Sequence, residues 1–443
     1  MTKMSFFYFF TASRNLVYDL IFVGQTLFIA SKHYVKYALG YDSMKCFQQC
    51  ACELGEINMF YLKALQTLST NVNILSQEQI DFLSQYTDNV PYNDDEINRD
   101  VIKSFEEASM KKEPRFGYEV EFEQNASPIK SGLIALIYYA KLDSKPVIIK
   151  VMRQGIREQL RDALRKIDFF VSLISWLPII RNLQLSDILS ENHSSMISQT
   201  NFTNEKDNII RMFNNCKNTD YINVPKVYPE FTEDNESIIV MSYLEGRKMD
   251  ELEDGEKDEY SRLLAKFGIK CLLFNRFYHA DLHSGNIVFM RDTQGNPQLG
   301  ILDYGIMGEI SKQEQHSFYN FFKSMASTRD NKTVADSVII GMVQPLSALE
   351  KMASWDYNNL REDTGNIIGN ILDQKRNFTP HDIYNINSVL RKYGLRLSRS
   401  FCRIEMSLAI ADSVSSKLSH TSNYLENVKE VVKSMFDTNI VEY

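Results

Sequence analysis

Hydrophobic residues recur at helical spacing in the early part of the chain. Between about Tyr41 and Leu83 they return roughly once per helical turn, as in Phe60, Leu62 and Leu65, and no proline interrupts them. Such spacing places apolar side chains on one face and is typical of amphipathic helices. We therefore predict a helical extension over this stretch.

The pattern changes after the acidic, proline-containing segment Asp88–Glu107, which marks a boundary. Gly117–Phe122 alternates between apolar and polar residues, and two further β-like runs follow at Leu133–Leu142 and Pro146–Val151. Alternation over short runs is typical of half-buried strands. The pattern predicts a small antiparallel sheet.

Helical periodicity returns from Arg153 to about Asn215, before the hydrophobic strand Ile238–Met241. Beyond the acidic segment Asp250–Glu259, most of the chain has the pattern of helices. A compact polar loop with short strands, from His279 to Gly308, interrupts them. The patterns together predict an α+β protein.

The first 40 residues combine aromatic, aliphatic and basic side chains. Their hydrophobic stretch, Leu16–Ala30, is broken by Asp19 and Gln25, whereas a membrane span needs about 20 mostly apolar residues. Four basic residues, Lys3, Arg14, Lys32 and Lys36, stand against one acid. A helix lying on a lipid surface and a helix packed on the domain both fit this composition.

The net charge and the cysteine content limit which partners and metals this chain is expected to bind. The formal net charge of −8 argues against nucleic acid, whose phosphates require a basic face. Cys46, Cys50 and Cys52 lie close together, but no second cluster of Cys or His follows at zinc spacing, so we expect no zinc. Few cysteines in a long chain suit a reducing, intracellular compartment, with peripheral membrane association left open.

The polar loop carries the residues with the most specific chemistry. Asp281 is followed five positions later by Asn286, and Asp303 comes after a predicted β-hairpin. This is the spacing of a kinase catalytic loop and its magnesium-binding loop. Asn286 and Asp303 offer the oxygen ligands that magnesium prefers, and Asp281 can orient an acceptor hydroxyl and take its proton. A lone Asp-x-Gly would be a solvated turn, whereas the ordered set predicts binding of ATP with Mg²⁺.

Further candidate nucleotide-binding residues precede the polar loop in the sequence. Lys150 ends a hydrophobic strand, as the phosphate-binding lysine of kinases does, and Glu205 on a following helix is its predicted partner. An edge-strand lysine and a solvated helix acid are the alternatives. The segment Ser242–Gly246 resembles the connection between kinase lobes, where Met241 and Tyr243 are the predicted adenine contacts.

The loop resembles the His-Ala-Asp-Pro-His-Pro-Gly-Asn signature of the UbiB/ADCK atypical kinases, with Leu282 and Ser284 in place of the two prolines. Four more motifs of that family are matched by Ile149–Ile156, Glu205–Asn208, Val224–Tyr228 and Ile301–Gly308. The resemblance runs from about Leu54 to Leu418.

This resemblance implies a bilobal, protein-kinase-like fold with a small antiparallel β-sheet N-lobe, a mostly helical C-lobe and a helical N-terminal extension. The predicted segments are residues 1–40 (hydrophobic and cationic), 41–112 (helical extension), 113–245 (N-lobe with a helical insertion) and 246–443 (C-lobe). It also implies a kinase or ATPase linked to ubiquinone or isoprenoid-lipid metabolism, with an unknown phosphoryl acceptor.

Two further motifs of the family are matched less well. Lys63-Ala64-Leu65-Gln66 is similar to the family's Lys-x-Gly-Gln, which restricts access to the cleft, but its glycine is lost. Lys63 and Gln66 are therefore the predicted regulatory residues, and a polar helix face is the alternative.

The family's alanine-rich nucleotide loop corresponds to Pro128–Leu136. The resemblance makes Lys130, Ser131, Gly132 and Ala135 nucleotide-binding candidates. Because bulky and charged side chains replace small ones here, a pseudokinase that responds to nucleotide without transferring phosphate is the alternative function.

Overall fold

The computed structural model describes residues 2–65, 76, 78–79, 82–83, 90–110, 120–121, 127–175, 193, 196–232, 235–327, 330–374, 380–419 and 424–437. The chain divides into two compact units. Unit 1 comprises Met1–Thr203 and Tyr228–Val240, and unit 2 comprises Asn204–Val227 and Met241–Tyr443.

The α-helices in the described residues are α1 (Thr2–Ala38), α2 (Ser43–Ile57), α3 (Arg99–Met110), α4 (Ile156–Ile174), α5 (Phe202–Cys216), α6 (Asp254–Lys270), α7 (Lys312–Ser327), α8 (Asn331–Met342), α9 (Leu346–Glu350), α10 (Ser354–Asp373), α11 (Pro380–Lys392), α12 (Arg399–Leu418) and α13 (Tyr424–Asp437). The strands are β1 (Val120–Glu121), β2 (Lys130–Ser131), β3 (Ala135–Leu142), β4 (Lys145–Met152), β5 (Ile222–Asn223), β6 (Ile238–Ser242), β7 (Phe277–His279), β8 (Ile287–Arg291), β9 (Pro297–Ile301), β10 (Met307–Glu309), β11 (Val343–Gln344) and β12 (Arg396–Leu397).

Unit 1 is built on the predicted antiparallel sheet, in the order β1-β3-β4-β6 with β2 also paired to β3. Strands β3 and β4 pair along their whole length, from Ala135 opposite Met152 to Leu142 opposite Lys145. The hairpin closes through Asp143 and Ser144, both with positive φ, as a tight two-residue turn between twisted strands requires. Buried side chains from the sheet, α3 and the segment after Tyr228 form its core.

A buried arginine ties the segment that precedes α3 to this sheet. The guanidinium of Arg153 donates to the carbonyls of Val90 at 3.0 Å and Pro91 at 3.1 Å, and to Ser131 Oγ at 2.6 Å. Its side chain is only 2% exposed and faces Glu96 at 3.5 Å. The carbonyls of two consecutive residues, Val90 and Pro91, therefore depend on a single charged group.

Helix α1 packs against α2 and α4 of unit 1. The Phe22 ring lies 4.8 Å from that of Tyr61, measured between ring centroids, and Asp19 forms an ion pair with Arg165. The chain is again helical over residues 60–65, where Asn58 Oδ1 accepts from the N–H of Phe60. No helix among the described residues is long and apolar enough to cross a membrane.

Unit 2 is mainly helical. Helix α6 packs on α12 and α13, and α8 packs between α7 and α10. A π-helical turn, Cys271–Asn275, continues α6, and Arg276 then adopts a left-handed conformation that redirects the chain into β7. Strands β8 and β9 form a hairpin beside β5, and β7 pairs with β10.

Two buried carboxyl groups in the helical part of unit 2 lie close enough to influence each other electrostatically. Glu405 on α12 and Asp382 on α11 are 8% and 4% exposed. Within the described residues, Glu405 Oε1 has no hydrogen-bond partner. Burial, and then the nearby Asp382 carboxyl, raise the pKa of Glu405 to about 7.

Replacing Arg153 by alanine should lower the free energy of unfolding by about 3 kcal/mol, because the carbonyls of Val90 and Pro91 and the Ser131 hydroxyl lose a buried donor. Urea denaturation of both proteins measures this. Arg99→Ala is the matched control, since the Arg99 side chain is 71% exposed and its ion pair is long at 3.8 Å. Equal losses for the two variants would contradict the prediction.

Glu405→Gln should flatten the dependence of stability on pH. A folded-state pKa near 7, above that of an unfolded glutamate, means that the folded protein retains this proton more strongly. The stabilisation is complete below about pH 4 and is lost as the pH rises through 7, with a magnitude on the order of 3 kcal/mol. Urea denaturation at several pH values should show this loss in the wild type and in the exposed control Glu350→Gln, but not in Glu405→Gln.

Candidate active site

The β8–β9 hairpin brings two predicted magnesium ligands to the same end of a sheet. Ile287 pairs with Ile301, and the N–H of Leu302 donates to the carbonyl of Asn286 at 2.9 Å. Asp303 is the next residue along the chain. The hairpin therefore accounts for how residues 17 positions apart meet at one edge.

The loop before this hairpin is held by its own hydrogen bonds. Asn286 Nδ2 donates to the carbonyl of Asp281 at 3.0 Å, and the N–H of His283 donates to the same oxygen at 3.0 Å. The N–H of Gly285 donates to His283 Nδ1 at 3.1 Å. Asp281 and Asn286 are thereby fixed relative to each other.

A buried histidine connects this loop to the segment of Asp303. His279 Nδ1 accepts from the N–H of Asp281 at 3.2 Å, so the ring proton lies on Nε2, which donates to the carbonyl of Asp303 at 2.6 Å. The carbonyl of His279 accepts from Ser407 Oγ at 2.7 Å. Burial lowers the pKa of His279 and favours the neutral ring that this arrangement needs.

The oxygen atoms at the hairpin end suit a hard cation. Because the Asn286 amide nitrogen is bonded to Asp281, the amide oxygen is the atom that can serve as a ligand. The Asp303 carboxylate accepts from the N–H of Gly305 at 2.9 Å, which orients the group. One amide and one carboxylate oxygen fit magnesium, which takes its remaining ligands from phosphates and water.

Helix α5 is attached to the segment that follows Asp303. Asn208 Nδ2 donates to the carbonyl of Tyr304 at 2.9 Å, and Arg211 makes two bonds of 2.9 Å to the Glu309 carboxylate. Glu205 lies one turn before Asn208 on the same face of the helix and is 3% exposed. This face of α5 is therefore turned toward the proposed magnesium loop.

The predicted adenine segment begins where β6 enters unit 2. The N–H of Ser242 donates to the carbonyl of Lys226 at 2.8 Å, and Ser242 Oγ accepts from the N–H of Lys226 at 2.9 Å. Met241 is buried, whereas Tyr243 is 40% exposed. Residues 243–246, which follow, lie outside the strands.

The same segment is fastened to β8. Arg247 and Phe289 exchange two backbone hydrogen bonds of 2.9 Å, and Glu256 Oε1 accepts from both Arg247 and Arg291 at 2.8 Å. These two guanidinium groups hold the pKa of Glu256 at about 2. A Cβ on Gly246 would lie 2.9 Å from the Met290 side chain, so only glycine fits without displacement.

The remaining nucleotide candidates belong to unit 1. Lys150 lies on β4 with a side chain that is 9% exposed, and its Nζ is 5.3 Å from the centroid of the Phe202 ring. A lysine on a rigid strand suits a phosphate contact.

The turn between β2 and β3 carries the other four candidates. Ser131 is buried, and its hydroxyl donates to the carbonyl of Val90 at 2.6 Å while accepting from Arg153. The N–H of Gly132 donates to the carbonyl of Ala135 at 2.9 Å. Lys130 is partly exposed. The side chain of Ser131 is thus already engaged within the protein.

Lys63 is partly exposed on the helix of residues 60–65, and Gln66 lies outside the described residues. Asn58 Nδ2, at the start of this helix, donates to the carbonyl of Gln159 at 3.4 Å. The regulatory role of Lys63 and Gln66 stays a prediction.

His279 and Asn208 also belong to this site, although the motifs assign them no role. Both were visible in the motifs: His279 directly precedes Ala280-Asp281, and Asn208 follows Glu205 at the spacing of one helical turn. Both side chains form hydrogen bonds to backbone groups of other segments. Because every residue has a backbone carbonyl, such bonds leave no signature in the sequence.

Comparison with known proteins identifies the family. A profile of the ABC1 atypical kinase-like domain matches residues 86–338, more than half of the chain. Probable protein kinase UbiB of Glaesserella parasuis serovar 5 is 30% identical over 303 residues, which cover 64% of this chain and 52% of that protein. The protein of the same name from Tolumonas auensis is 26% identical over 304 residues, covering 66% and 54%. The chain spans about half the length of the curated relatives it matches.

Similar solved structures are more distant. The Mycobacterium tuberculosis protein Rv3197, in complex with erythromycin, has a TM-score of 0.48 at 15% identity, over 86% of this chain and 96% of that one. The Chaetomium thermophilum Rio2 kinase, in an ADP/Mg²⁺-phosphoaspartate complex, has a TM-score of 0.26 at 12% identity, over 75% and 94%. Scores this low carry no weight for function.

The profile match and the relatives named UbiB confirm the resemblance stated from the motifs. They also confirm the kinase-like α+β fold class with a small antiparallel sheet and a mostly helical part. The chain belongs to the ABC1 atypical kinase-like family.

Proposed function

We propose that this protein is an atypical kinase or ATPase that binds ATP with Mg²⁺ and transfers or hydrolyses the γ-phosphoryl group. The observation that carries the proposal is the linked arrangement of Asp281, Asn286 and Asp303. One histidine and one hairpin hold all three relative to each other. A purely structural loop has no need of that set.

The proposed chemistry is a phosphoryl transfer. The acceptor oxygen, from a hydroxyl or from water, forms a bond to the γ-phosphorus while the bond between that phosphorus and the β–γ bridging oxygen breaks. Asp281 orients the acceptor and takes its proton. Asn286 and Asp303 would hold magnesium, which neutralises charge on the phosphates. His279 keeps Asp281 and Asp303 at a fixed separation, acting as a positioning residue.

Two further roles follow from the family. Lys150 would bind the α and β phosphates, with Glu205 as its acidic partner. Met241 and Tyr243 would offer backbone groups to adenine. These assignments rest on motif position, supported by the burial of Lys150 and Glu205, since a buried charged side chain needs a partner of opposite charge.

A link to ubiquinone or isoprenoid-lipid metabolism is part of the proposal, because the matched relatives are named UbiB. The phosphoryl acceptor stays unidentified. The alternative function is a pseudokinase that binds nucleotide and signals through a partner. The engaged hydroxyl of Ser131 and the bulky residues around it favour that alternative.

Adding ATP and MgCl₂ together should raise the melting temperature of the wild-type protein, because a ligand that binds only the folded state stabilises it. At about 100 times its dissociation constant the gain is roughly 3 kcal/mol. Asp303→Asn should lose most of this gain, whereas Asp356→Asn, an exposed control on α10, should keep it. No shift in the wild type would rule out the nucleotide site itself.

Phosphate release, measured with purified protein, separates an enzyme from a pseudokinase. Asp281→Asn should reduce turnover by at least about a hundredfold while the thermal shift with ATP and magnesium persists, since Asp281 acts on the acceptor and not on the metal. Wild-type protein that binds ATP but shows no turnover dependent on Asp281 would favour the pseudokinase.

Lys63→Ala should change nucleotide affinity or autophosphorylation if the helix of residues 60–65 regulates the site. A lysine on a solvated face would alter stability by only a few tenths of a kcal/mol and leave binding intact. Calorimetric titration with ATP and magnesium measures the affinity. Lys103→Ala on α3, whose side chain is 74% exposed, is the control. Identical affinities in both variants would remove the regulatory role.

A further inference from the structure

An ionic cluster lies at the point where the predicted adenine segment ends. The Glu256 carboxylate on α6 accepts a hydrogen bond of 2.8 Å from Arg247, which directly follows Gly246. The same oxygen atom, Oε1, accepts two bonds from Arg291 at the end of β8, one of 2.8 Å from Nη2 and one of 3.1 Å from Nε. One carboxylate therefore joins the end of the segment to the end of a strand.

The members of this cluster are themselves held by the surrounding structure. The second carboxylate oxygen of Glu256 accepts from the N–H of Glu253 at 3.3 Å, as in a capping box at the start of α6. The Arg291 guanidinium lies 5.9 Å from the centroid of the Tyr260 ring. Tyr260 is fully buried, and its hydroxyl donates to the carbonyl of Met290 at 2.8 Å. The cluster is thus built on α6 and on β8.

Close packing holds the segment against the β8–β9 hairpin. A Cβ on Gly246 would lie 3.0 Å from the Val288 side chain and 3.1 Å from the carbonyl oxygen of Phe289. A Cβ on Gly300 of β9 would lie 2.6 Å from Val288 and 3.2 Å from the Leu244 side chain. Leu244 and Gly246 therefore lie directly against the hairpin, and the two glycines permit this close approach.

The strand that receives the segment also begins at the proposed metal site. Asn286 immediately precedes β8, and Arg291 is the last residue of that strand. Arg247 exchanges two backbone hydrogen bonds with Phe289, which lies only three residues beyond Asn286. A shift of the segment along β8 would change the distance between a base bound to the segment and phosphates bound at the metal. The cluster opposes such a shift, because Arg247 and Arg291 must both reach the same carboxylate oxygen.

Glu256 is the member that the cluster cannot replace. Its single negative charge lies between two guanidinium groups, which would repel each other without it. The other nearby acid, Glu259, is 51% exposed and lies 3.5 Å from Arg291, so it compensates only weakly. Because the hydrogen bonds from Arg247 and Arg291 hold the pKa of Glu256 at about 2, the carboxylate stays charged at neutral pH.

We propose that Glu256 is a positioning residue for recognition of the nucleotide base. Acting through Arg247, it sets where residues 243–246 present their backbone to adenine, relative to the loop of Asn286 and Asp303. This inference rests on the proposed function, since it requires that the segment bind adenine. The nucleotide is then recognised in two separable parts, the base by the segment and the phosphates at the metal loop. Glu256 serves the first part without contacting the nucleotide.

Two ligands separate these parts in a binding experiment. Inorganic tripolyphosphate with magnesium offers the phosphates without a base, and ATP with magnesium offers both. Calorimetric titration gives a dissociation constant for each ligand, and their ratio measures what the adenosine part contributes. Glu256→Gln should raise the dissociation constant for ATP about tenfold. The constant for tripolyphosphate should stay unchanged, because Asn286 and Asp303 keep their own hydrogen bonds.

A control and a second variant accompany this substitution. Glu259→Gln is the matched control, because it makes the same change on the same helix beside the same arginine, where the ion pair is long at 3.5 Å. It should bind both ligands as the wild type does. Arg247→Gln detaches the segment from the cluster while Glu256 keeps its bonds to Arg291. It should show the same selective loss of ATP affinity, and circular dichroism checks the fold of each variant.

The outcomes distinguish this inference from the proposed function. Wild-type affinity for ATP in Glu256→Gln and Arg247→Gln, or equal losses of affinity for both ligands, would overturn the positioning role and leave the nucleotide site in place. Wild-type protein that binds tripolyphosphate as tightly as ATP would also overturn it, because the base would then not be recognised. Binding of neither ligand by the wild type would overturn the proposed function and this inference with it.

Discussion

A neutral, buried histidine is the constraint on which the candidate active site depends. His279 can accept from the N–H of Asp281 and donate to the carbonyl of Asp303 only if its ring carries one proton, on Nε2. Burial disfavours the charged ring and so maintains this state. A second proton on Nδ1 would set two donors against each other. The separation between the proposed base and the proposed metal ligand thus follows from the protonation of a residue that touches neither substrate nor metal.

The hairpin β8–β9 connects the segments held by His279 to other parts of unit 2. At its open end it sets the relation between Asn286 and Asp303, and along β8 it bonds to Arg247 just beyond the predicted adenine segment. Helix α5 reaches the same region through Asn208 and the carbonyl of Tyr304. Three parts of the chain that are distant in sequence therefore converge on one short antiparallel pair. Because backbone groups make most of these bonds, their geometry tolerates changes in neighbouring side chains, such as leucine and serine in place of the two family prolines.

Side-chain patterns in the sequence predict where elements and motifs lie, but they do not predict hydrogen bonds that end on backbone groups. Alternation and turn-forming residues located the β3–β4 hairpin to within two residues, and the motif spacing located the loop that contains Asp281. The connections made by His279, Asn208 and Arg153 end on backbone carbonyls, which every residue possesses, so no pattern of side chains could reveal them. Helix α1 was ambiguous for a different reason. Its composition describes both faces at once, and only the structure separates the residues that pack from those that face solvent.

The altered nucleotide loop changes how phosphates would be held under the proposed function. In a loop made of small residues, backbone N–H groups and a hydroxyl are available to phosphate. Here the Ser131 hydroxyl is shared between Val90 and Arg153, and the N–H of Gly132 is bonded within the turn. Under the proposed function, recognition would then depend more on charge, from Lys150 and from the cation that Asn286 and Asp303 would hold. Since charge-based contacts scale with the number of phosphates, this loop should favour triphosphate over monophosphate and make affinity strongly dependent on magnesium.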